Sequence, residues 1–334
     1  MKLSAPAFLR TALGALTLTL GANAMAQTET LRIQDYPGLG NMIVRVAAAN
    51  GYCEKNGIKC ELKTIPAGPL GIQTLMAGDI DVAFGPAEVV IQAANKGADL
   101  KIIGNAARDN IFFLMAGAHT ETPNAAKGYP AVMADLKGKK IGVTARGSGA
   151  EFQLLDMLKG AGLSGADVTI VPVGAPNTAL PAMVNKQIDA VMLFAPMDGF
   201  CAAMKVCRVI VDPRKGEGPK EITQLNGASG PMTVRGDFAQ KKGATLDAFA
   251  KAMRESEAFI QNPANFAAVL KVINDTFKIE GPAGAAAVEA SLRNSISGSR
   301  FALDPKALQY AADYLFNTKQ IDKSFDTSKV LQLR

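Results

Sequence analysis

From residue 31 to about residue 210, short apolar runs alternate with helix-like segments in the hydrophobic pattern of the chain. Short apolar runs bounded by turn residues are typical of buried strands. The pattern predicts strands at residues 31–34, 59–65, 81–84, 100–105, 111–117, 140–144, 168–173 and 190–194. Helices are predicted between them, at residues 42–50, from the turn at 66–69 to 76, and at 86–96, 150–159 and 179–186. This order favours an α/β fold with helices on both faces of a sheet.

The last third of the chain has a different pattern. After Val234 it becomes helical to near its end. Leu246, Phe249, Met253 and Ile260 are apolar at roughly helical intervals. The sequence therefore predicts an α/β protein with a helical carboxyl-terminal region.

Two segments of the chain repeat the same order of features. Residues 75–86 (LMAGDIDVAFGP) and 183–196 (MVNKQIDAVMLFAP) each contain a helix end, an Ile-Asp turn, a short apolar strand and a proline at a helix start. Asp81 and Asp189 occupy the same place in the two segments, and we interpret them as turn or cap residues rather than ligand contacts. The repeat predicts two similar α/β lobes. Ligands of such sheets bind beyond the carboxyl ends of the strands.

The first residues have the pattern of a secretory signal peptide. Lys2 and Arg10 give a positive head, residues 11–20 form a short apolar run, and an A-x-A cleavage site ends at Ala26. A membrane anchor is the alternative interpretation, but it needs about 20 apolar residues. We therefore expect residues 1–26 to be a signal peptide that is cleaved after Ala26, and the mature protein to be located in the periplasm.

Composition limits the chemistry that this chain can perform. Its 334 residues are enough for two domains. It has no Trp and one His, His119, which excludes a Trp-lined sugar platform and a His-rich metal site. The net charge of +6 falls to +4 without Lys2 and Arg10, because 34 basic residues then face 30 acidic ones. Since the basic residues are not clustered, we expect no nucleic acid partner.

The four cysteines form two local pairs in the sequence, Cys53 with Cys60 and Cys201 with Cys207. In an oxidising compartment two local disulfides are the simplest pairing. A zinc site is the alternative, but it would need all four thiolates together without a C-x-x-C motif. We expect two structural disulfides.

The sharpest local signal for a ligand is the segment IGVTARGSGAEF at residues 141–152. A strand leads through a Gly/Ser turn into a helix, whose first N–H groups attract anions. Arg146 adds a planar cation suited to a carboxylate or sulfonate. The segment is not a nucleotide-binding loop, because it lacks G-x4-G-K-[ST] and has Phe152 where G-x-G-x-x-G needs its third Gly. An ordinary helix start is the alternative interpretation.

Other candidate ligand residues lie at further strand ends. Gly68 precedes a predicted helix, and Asn177 and Asp198 follow predicted strands. Arg108 lies between two strands, where a salt bridge to Asp109 is the alternative explanation. Asn177 would equally serve as a helix cap.

Catalytic motifs are missing from the sequence. It contains no G-x-S-x-G and no H-E-x-x-H, and His119 lies in a polar connection. If the cysteines form disulfides, no thiol remains as a nucleophile. We therefore expect no enzymatic activity, no cofactor and no metal.

These features resemble the substrate-binding proteins of ABC importers. The export signal, the Pro/Gly-rich turns after the first strands, LMAGDIDVAFGP and the strand–GSG–helix unit are similar to the nitrate/sulfonate/taurine branch. The resemblance covers about residues 29–320. It implies a two-lobed, type II-like periplasmic-binding-protein fold with a hinge. The first lobe would comprise residues 28–117 and 228–334, and the second lobe residues 118–227.

The resemblance also implies what the protein binds. The ligand would be a small anion, a sulfonate or an aliphatic or aromatic carboxylate, which a monomer carries to an ABC permease in the inner membrane. Matching positions point to ligand contacts at Leu39, Gly40, Pro86, Ala87, Gly147, Ser148 and Gly149. Three alternatives stay open: a binder of thiamine-pyrimidine precursors, a ligand-presenting partner of a membrane sensor, and a family-related enzyme.

Overall fold

The computed structural model describes residues 1–2, 28–277 and 281–334. The predicted signal peptide falls on residues 3–26, which lie outside the described residues. Among the helices that are described, none is both long and apolar enough to cross a membrane.

The described residues form ten strands and thirteen α-helices. The strands are β1 (Glu29–Asp35), β2 (Ile58–Thr64), β3 (Ala83–Phe84), β4 (Leu100–Ala107), β5 (Phe112–Gly117), β6 (Lys140–Val143), β7 (Thr169–Pro172), β8 (Ala190–Phe194), β9 (Cys207–Val211) and β10 (Gly230–Arg235). The helices are α1 (Met42–Ala49), α2 (Tyr52–Lys55), α3 (Gly68–Ala77), α4 (Ala87–Asn95), α5 (Gly149–Gly160), α6 (Pro176–Val184), α7 (Met197–Met204), α8 (Lys220–Thr223), α9 (Gly236–Lys241), α10 (Gly243–Gln261), α11 (Phe266–Phe277), α12 (Gly281–Ser295) and α13 (Pro305–Asn317).

The strands form two arrangements with the same topology. In the first sheet, β1 pairs with β2, and a bridge between Ile33 and Val82 connects them to β3, β10 and β4, giving the order β2-β1-β3-β10-β4. The second sheet has the order β7-β6-β8-β5-β9. In each sheet one strand, β10 or β5, runs antiparallel to both of its neighbours. The predicted α/β fold is confirmed, and the internal repeat corresponds to this shared topology.

The two aspartates of the repeated segments have equivalent roles. Asp81 accepts a hydrogen bond from the backbone N–H of Arg32 in β1 (2.9 Å) and also binds its guanidinium (2.7 Å). Asp189 accepts a hydrogen bond from the backbone N–H of Lys140 at the start of β6 (2.8 Å). Since β1 and β6 occupy the same position in their sheets, each aspartate holds the same strand. This agrees with the interpretation of both as turn or cap residues.

The boundary between the two sheets differs from the predicted boundary. The sequence analysis placed it after residue 117, but β5 pairs with β8 and β9 in the second sheet. The chain passes from the first sheet to the second through residues 108–111 and returns through residues 212–229. An apolar run predicts a strand but not its partners, which is why the sequence could not assign β5 to its sheet.

The carboxyl-terminal region is helical, as predicted. Helix α10 packs against α1 and α13 against α4 beside the first sheet, whereas α12 packs against α7, which connects β8 to β9 of the second sheet. Gly199 permits this close approach, because a Cβ there would overlap the backbone oxygen of Ala287. The Gly199 N–H donates to Ser291 Oγ (3.0 Å). The carboxyl-terminal helices therefore contact elements of both sheets.

Both predicted cysteine pairs are joined as disulfides, Cys53 to Cys60 and Cys201 to Cys207. The first connects α2 to β2, and the second connects α7 to β9. Each closes a short loop, so loop entropy gives each about 2–3 kcal/mol of stabilisation.

Candidate functional site

The loops that follow the strands of the two sheets meet at one place, which we call the central cleft. The loop after β1 and the turn before α4 come from the first sheet, and the loop after β6 and the end of β8 come from the second. The Leu39 N–H donates to the Ala195 carbonyl (3.1 Å). A Cβ on Gly149 would lie 2.7 Å from the Pro86 ring. The facing loops are therefore in direct contact.

Aromatic rings line the central cleft. The Tyr36 ring centroid lies 5.5 Å from that of Phe84 and 4.8 Å from that of Phe194. The Phe112 and Phe194 centroids are 6.2 Å apart. Gly38 packs directly against the Phe194 ring, where a side chain would collide with it. Because these rings exclude water, polar groups among them interact in a low-dielectric environment.

Two hydroxyl groups in the central cleft lack a hydrogen-bond partner within the described part of the chain: Tyr36 Oη and Thr144 Oγ1. Tyr36 is 1% exposed and Thr144 is 3% exposed. Burial raises the pKa of Tyr36, and the Thr144 hydroxyl, which lies close enough to interact with Tyr36 Oη without forming a well-aligned hydrogen bond, partly opposes this rise. Tyr36 directly follows β1 of the first sheet, and Thr144 directly follows β6 of the second sheet, so each sheet contributes one of the two hydroxyls. An unpaired buried hydroxyl costs about 1–3 kcal/mol, and a bound acceptor would remove that cost.

The predicted ligand residues of the first sheet are close together. Gly68 lies against Pro86, because a Cβ on Gly68 would be 3.1 Å from the proline ring, and Ala87 is the buried first residue of α4. Leu39 and Gly40 line a small cavity of about 120 Å³. Gly68, Pro86 and Ala87 therefore lie together at the start of α4, whereas Leu39 and Gly40 line a different cavity, and ligand contacts at these five positions stay predictions.

The predicted residues of the second-sheet loop, apart from Gly149, are each bonded to Glu151. The Glu151 carboxylate binds the Arg146 guanidinium (3.0 Å) and accepts a hydrogen bond from the Gly147 N–H (2.6 Å). Ser148 Oγ accepts the Glu151 N–H (3.3 Å) and caps α5. The anion held by this loop is therefore the chain's own Glu151. A ligand contact at Arg146 stays a prediction, and an ordinary helix start accounts for these bonds.

The remaining three predicted residues have other surroundings. Arg108 forms the salt bridge to Asp109 that was its alternative explanation (2.9 Å). Asp198 is buried and bound to Arg214 (3.2 Å). Asn177 lines a separate cavity beside the central cleft. Ligand contacts at these positions stay predictions.

Tyr36, Thr144 and Arg214 were not among the predicted ligand residues. Tyr36 and Thr144 belong to the same turns as the residues that were predicted there, Leu39 and Gly40 in the first turn and 146–149 in the second. Their signal is positional, since each hydroxyl residue directly follows a strand whose loop enters the cleft. Arg214 lies in the polar segment DPRKGEGP, whose composition indicates a solvated loop. Nothing in that segment marks the arginine as buried.

Arg214 is a buried cation between two carboxylates. Its guanidinium binds Asp212 (2.9 Å) and Asp198 (3.2 Å) and lies 4.1 Å from the centroid of the Phe113 ring. Burial lowers the pKa of Arg214, but the hydrogen bonds and charges of the two aspartates outweigh this effect and raise it. Arg214 therefore fixes the segment that leaves β9 against α7 and β5.

The one histidine of the chain, His119, lies beside Asp189. His119 Nε2 lies 4.0 Å from Asp189 Oδ1 and is buried without a hydrogen bond in the described structure. Across residues 28–277 and 281–334, no three or more His, Cys, Asp or Glu side chains come together as possible metal ligands.

A polar chain beside the central cleft connects the two sheets. The Asn110 side-chain amide donates to Gln153 Oε1 (2.8 Å), and Gln153 Nε2 donates to Glu88 Oε1 (3.0 Å). Burial raises the pKa of Glu88. Asp156 lies one turn further along α5, near the Tyr314 hydroxyl of α13. The carboxyl groups of Glu88 in α4 and Asp156 in α5 thus lie where the elements of the first sheet contact those of the second.

Titration of Asp156 should make the stability depend on pH. Burial raises the pKa of Asp156 from 3.8 to about 7; the charges of Glu88 and Glu221 reinforce this rise, and Tyr314 and Lys159 oppose it. The folded protein therefore binds this proton more tightly than the unfolded chain, so the free energy of unfolding falls as pH rises from about 4 to about 7. Asp156→Asn should flatten this part of the profile, measured by urea unfolding between about pH 5 and 8. A slope equal to that of the exposed control Asp322→Asn would contradict the assignment.

Solved structures share this fold. The alkanesulfonate-binding protein SsuA from Xanthomonas axonopodis pv. citri, bound to MOPS, matches with a TM-score of 0.72 and 21% identity, over 91% of this chain and 98% of that chain. At this identity the likeness shows the fold alone. The predicted periplasmic-binding-protein fold is confirmed.

Relatives are also found by sequence. A protein of Brucella abortus (strain 2308), named as a binding protein, is 32% identical over 168 residues. The match covers 50% of this chain and 47% of that protein, so the chain spans about half the length of this curated relative. A protein of Bacillus subtilis (strain 168), named as an aliphatic sulfonates-binding protein, is 29% identical over 83% of this chain and 77% of its own length.

A family model covers most of both sheets. It is described as NMT1/THI5 like and matches residues 41–265, about two thirds of the chain. The matched region runs from the end of the β1 loop to the start of α11 and includes the second-sheet loop and α4. This chain belongs to the NMT1/THI5-like family.

Proposed function

We propose that this protein is the exported solute-binding component of an ABC importer. It binds a small organic anion, a sulfonate or a carboxylate, in the central cleft and delivers it unchanged to a membrane permease. The observation that carries the proposal is the pair of buried, unpartnered hydroxyls of Tyr36 and Thr144, one beyond each sheet. Oxygen atoms of a sulfonate or carboxylate would accept hydrogen bonds from both.

Neutral donors are sufficient to hold such an anion. Helix α4 begins at the central cleft with Ala87, whereas the loop before α5 already holds the Glu151 carboxylate. The first N–H groups of a helix have no partner within the helix, and together with the helix dipole they attract an anion. A desolvated site strengthens these hydrogen bonds. The head group therefore needs no free arginine, which agrees with the pairing of Arg146 to Glu151.

We place the hinge of the two lobes at the segments 108–111 and 212–229. The first lobe then contains the first sheet, and the second lobe contains the second sheet including β5. Closure would bring Leu39 against Ala195 and Pro86 against Gly149, the contacts that this structure contains. A ligand bound between these loops would favour the closed arrangement, because it contacts both lobes only there.

A thermal-shift screen tests the proposed function. Sulfonates, aliphatic and aromatic carboxylates, nitrate and thiamine-pyrimidine precursors are each added to the purified mature protein. An anion at about 1,000 times its Kd should add about 4 kcal/mol to the free energy of unfolding and raise Tm clearly. The anion should be recovered chemically unchanged after incubation. A shift by pyrimidines alone would support the thiamine-precursor alternative instead, and turnover of the anion would overturn the binding-only role.

A further inference from the structure

A chain of buried hydrogen bonds runs from the proposed hinge to the central cleft. The N–H of Asn110, in the first hinge segment, donates to Asn226 Oδ1 in the second (2.7 Å). The Asn110 side chain donates to Gln153 Oε1 of α5 (2.8 Å), and Gln153 Nε2 donates to Glu88 Oε1 of α4 (3.0 Å). Because α4 follows β3 of the first sheet and α5 follows β6 of the second, the Gln153–Glu88 bond joins the two proposed lobes. Opening of the hinge would break it.

Asp156 brings a second carboxyl group to the contact between the two lobes. It lies one turn after Gln153 on α5, near the hydroxyl of Tyr314 on α13, a helix that packs against α4. Glu88 is 3% exposed, and its charge helps to raise the pKa of Asp156. Glu88 and Asp156, which we call the carboxyl pair, therefore lie on opposite lobes and close enough for their charges to repel each other.

The charged groups around the carboxyl pair do not cancel this repulsion. Glu221 of α8 adds a third negative charge near Asp156, whereas the exposed Lys159 of α5 partly opposes it. Burial and the nearby carboxylates raise the pKa of the Tyr314 and Tyr129 hydroxyls, so both phenols stay neutral at physiological pH. Uptake of a proton by the carboxyl pair would therefore relieve the excess of negative charge in the closed contact.

We propose that closure of the two lobes is linked to the uptake of a proton by the carboxyl pair. In the closed arrangement α4 and α5 exclude water from Glu88 and Asp156 and bring their charges together, and both effects favour the neutral form of a carboxyl group. In the open arrangement water would solvate each group separately. A neutral carboxyl group still accepts the bond from Gln153 through its carbonyl oxygen, so protonation leaves the polar chain intact. The linkage goes beyond the proposed function, because it acts on the hinge whatever ligand the cleft binds.

Acid should therefore favour the closed arrangement, and a higher pH the open one. In the closed structure the pKa of Asp156 is raised from 3.8 to about 7, chiefly by burial, and burial also raises the pKa of Glu88. In the open arrangement the pKa of Asp156 would return towards its ordinary value. Because the closed form binds the proton more tightly, the ratio of closed to open molecules falls as pH rises from about 4 to about 7. The fall is at most about tenfold per pH unit for each proton.

Distance measurements between two spin labels test the linkage without any ligand. Gln73→Cys in α3 and Val184→Cys in α6 place one label at an exposed position of each lobe, and the four native cysteines are joined in disulfides. Pulsed EPR on the ligand-free protein gives the populations of short and long distances at each pH. From about pH 5 to about pH 8 the closed-to-open ratio should fall at least tenfold. A ratio that stays constant over this range would overturn the linkage.

A variant with the carboxyl pair neutralised shows where the proton binds. Glu88→Gln with Asp156→Asn keeps the shape of both side chains and should hold the closed-to-open ratio near its acid value at every pH. Glu54→Gln with Asp322→Asn is the matched control, since it removes the same two charges from exposed positions and should follow the unsubstituted protein. The linkage would be wrong if the first variant kept the full pH dependence or if the control lost it as well. Either failure concerns the hinge alone, because the thermal-shift screen tests ligand binding separately.

Discussion

A protein that carries Tyr36→Phe and Thr144→Val together is expected to bind its anion at least 100-fold more weakly than the wild type, while its ligand-free Tm stays unchanged or rises. Each hydroxyl would donate to a charged acceptor, and such a hydrogen bond contributes about 1.5–3 kcal/mol. Two of them exceed the roughly 2.8 kcal/mol that corresponds to a 100-fold change in Kd. Both replacements keep the shape of the side chain, so the aromatic packing around Tyr36 should persist.

The opposite signs of the two effects make this prediction specific. Without ligand, both hydroxyls are buried and unpartnered in the described structure, so each carries a desolvation cost. Removing them should therefore not destabilise the empty protein. A residue that merely supports the fold would lose stability together with affinity.

Calorimetry and thermal unfolding of the same preparations measure both quantities. The matched control is Tyr52→Phe with Thr74→Val, which removes the same two functional groups from α2 and α3 outside the cleft. The control should bind with an unchanged Kd. If the cleft variant retains full affinity, the head group is held elsewhere. If it loses several degrees of Tm without ligand, the hydroxyls are structural.

The regular parts of the fold could be predicted because they depend on local patterns. Apolar runs predicted each strand of the second sheet from β5 to β8, and the repeat around Asp81 and Asp189 predicted two similar halves. The short spacing favoured a local disulfide between Cys53 and Cys60 over a zinc site, and the structure contains that disulfide. These signals need no knowledge of which elements meet.

The site could be predicted only as far as the loops that form it. Whether a polar group is free to bind a ligand depends on whether another residue, from the same turn or from a distant part of the chain, already bonds it. Arg146 is the strongest anion signal in the sequence, yet Glu151 neutralises it one turn later. Conversely, Tyr36 has no distinctive motif, and it gains its role because Phe194 and Thr144 approach from the other sheet. These contacts form only when distant segments pack together, so the sequence alone does not predict them.

Arg214→Met is expected to lower the free energy of unfolding by about 3–5 kcal/mol, the usual result of removing one partner from a buried ion pair. The Arg214 side chain is 14% exposed, and those of Asp198 and Asp212 are 5% and 3% exposed. Without the guanidinium, two largely desolvated carboxylates would remain, and within the described residues only the exposed Lys215, 3.9 Å from Asp212, would be left to pair with one of them. Methionine replaces much of the lost volume over the Phe113 ring. The decrease in the free energy of unfolding therefore reports the loss of the charge rather than the formation of a cavity.

Arg108→Met provides the matched control for this effect. Arg108 is also paired with an aspartate at 2.9 Å, but its side chain is 51% exposed. Water solvates Asp109 once the arginine is removed, so the change should stay within about 1 kcal/mol. Urea unfolding of both variants at neutral pH measures the difference. Equal losses in the two variants would mean that Arg214 acts through packing rather than through its charge.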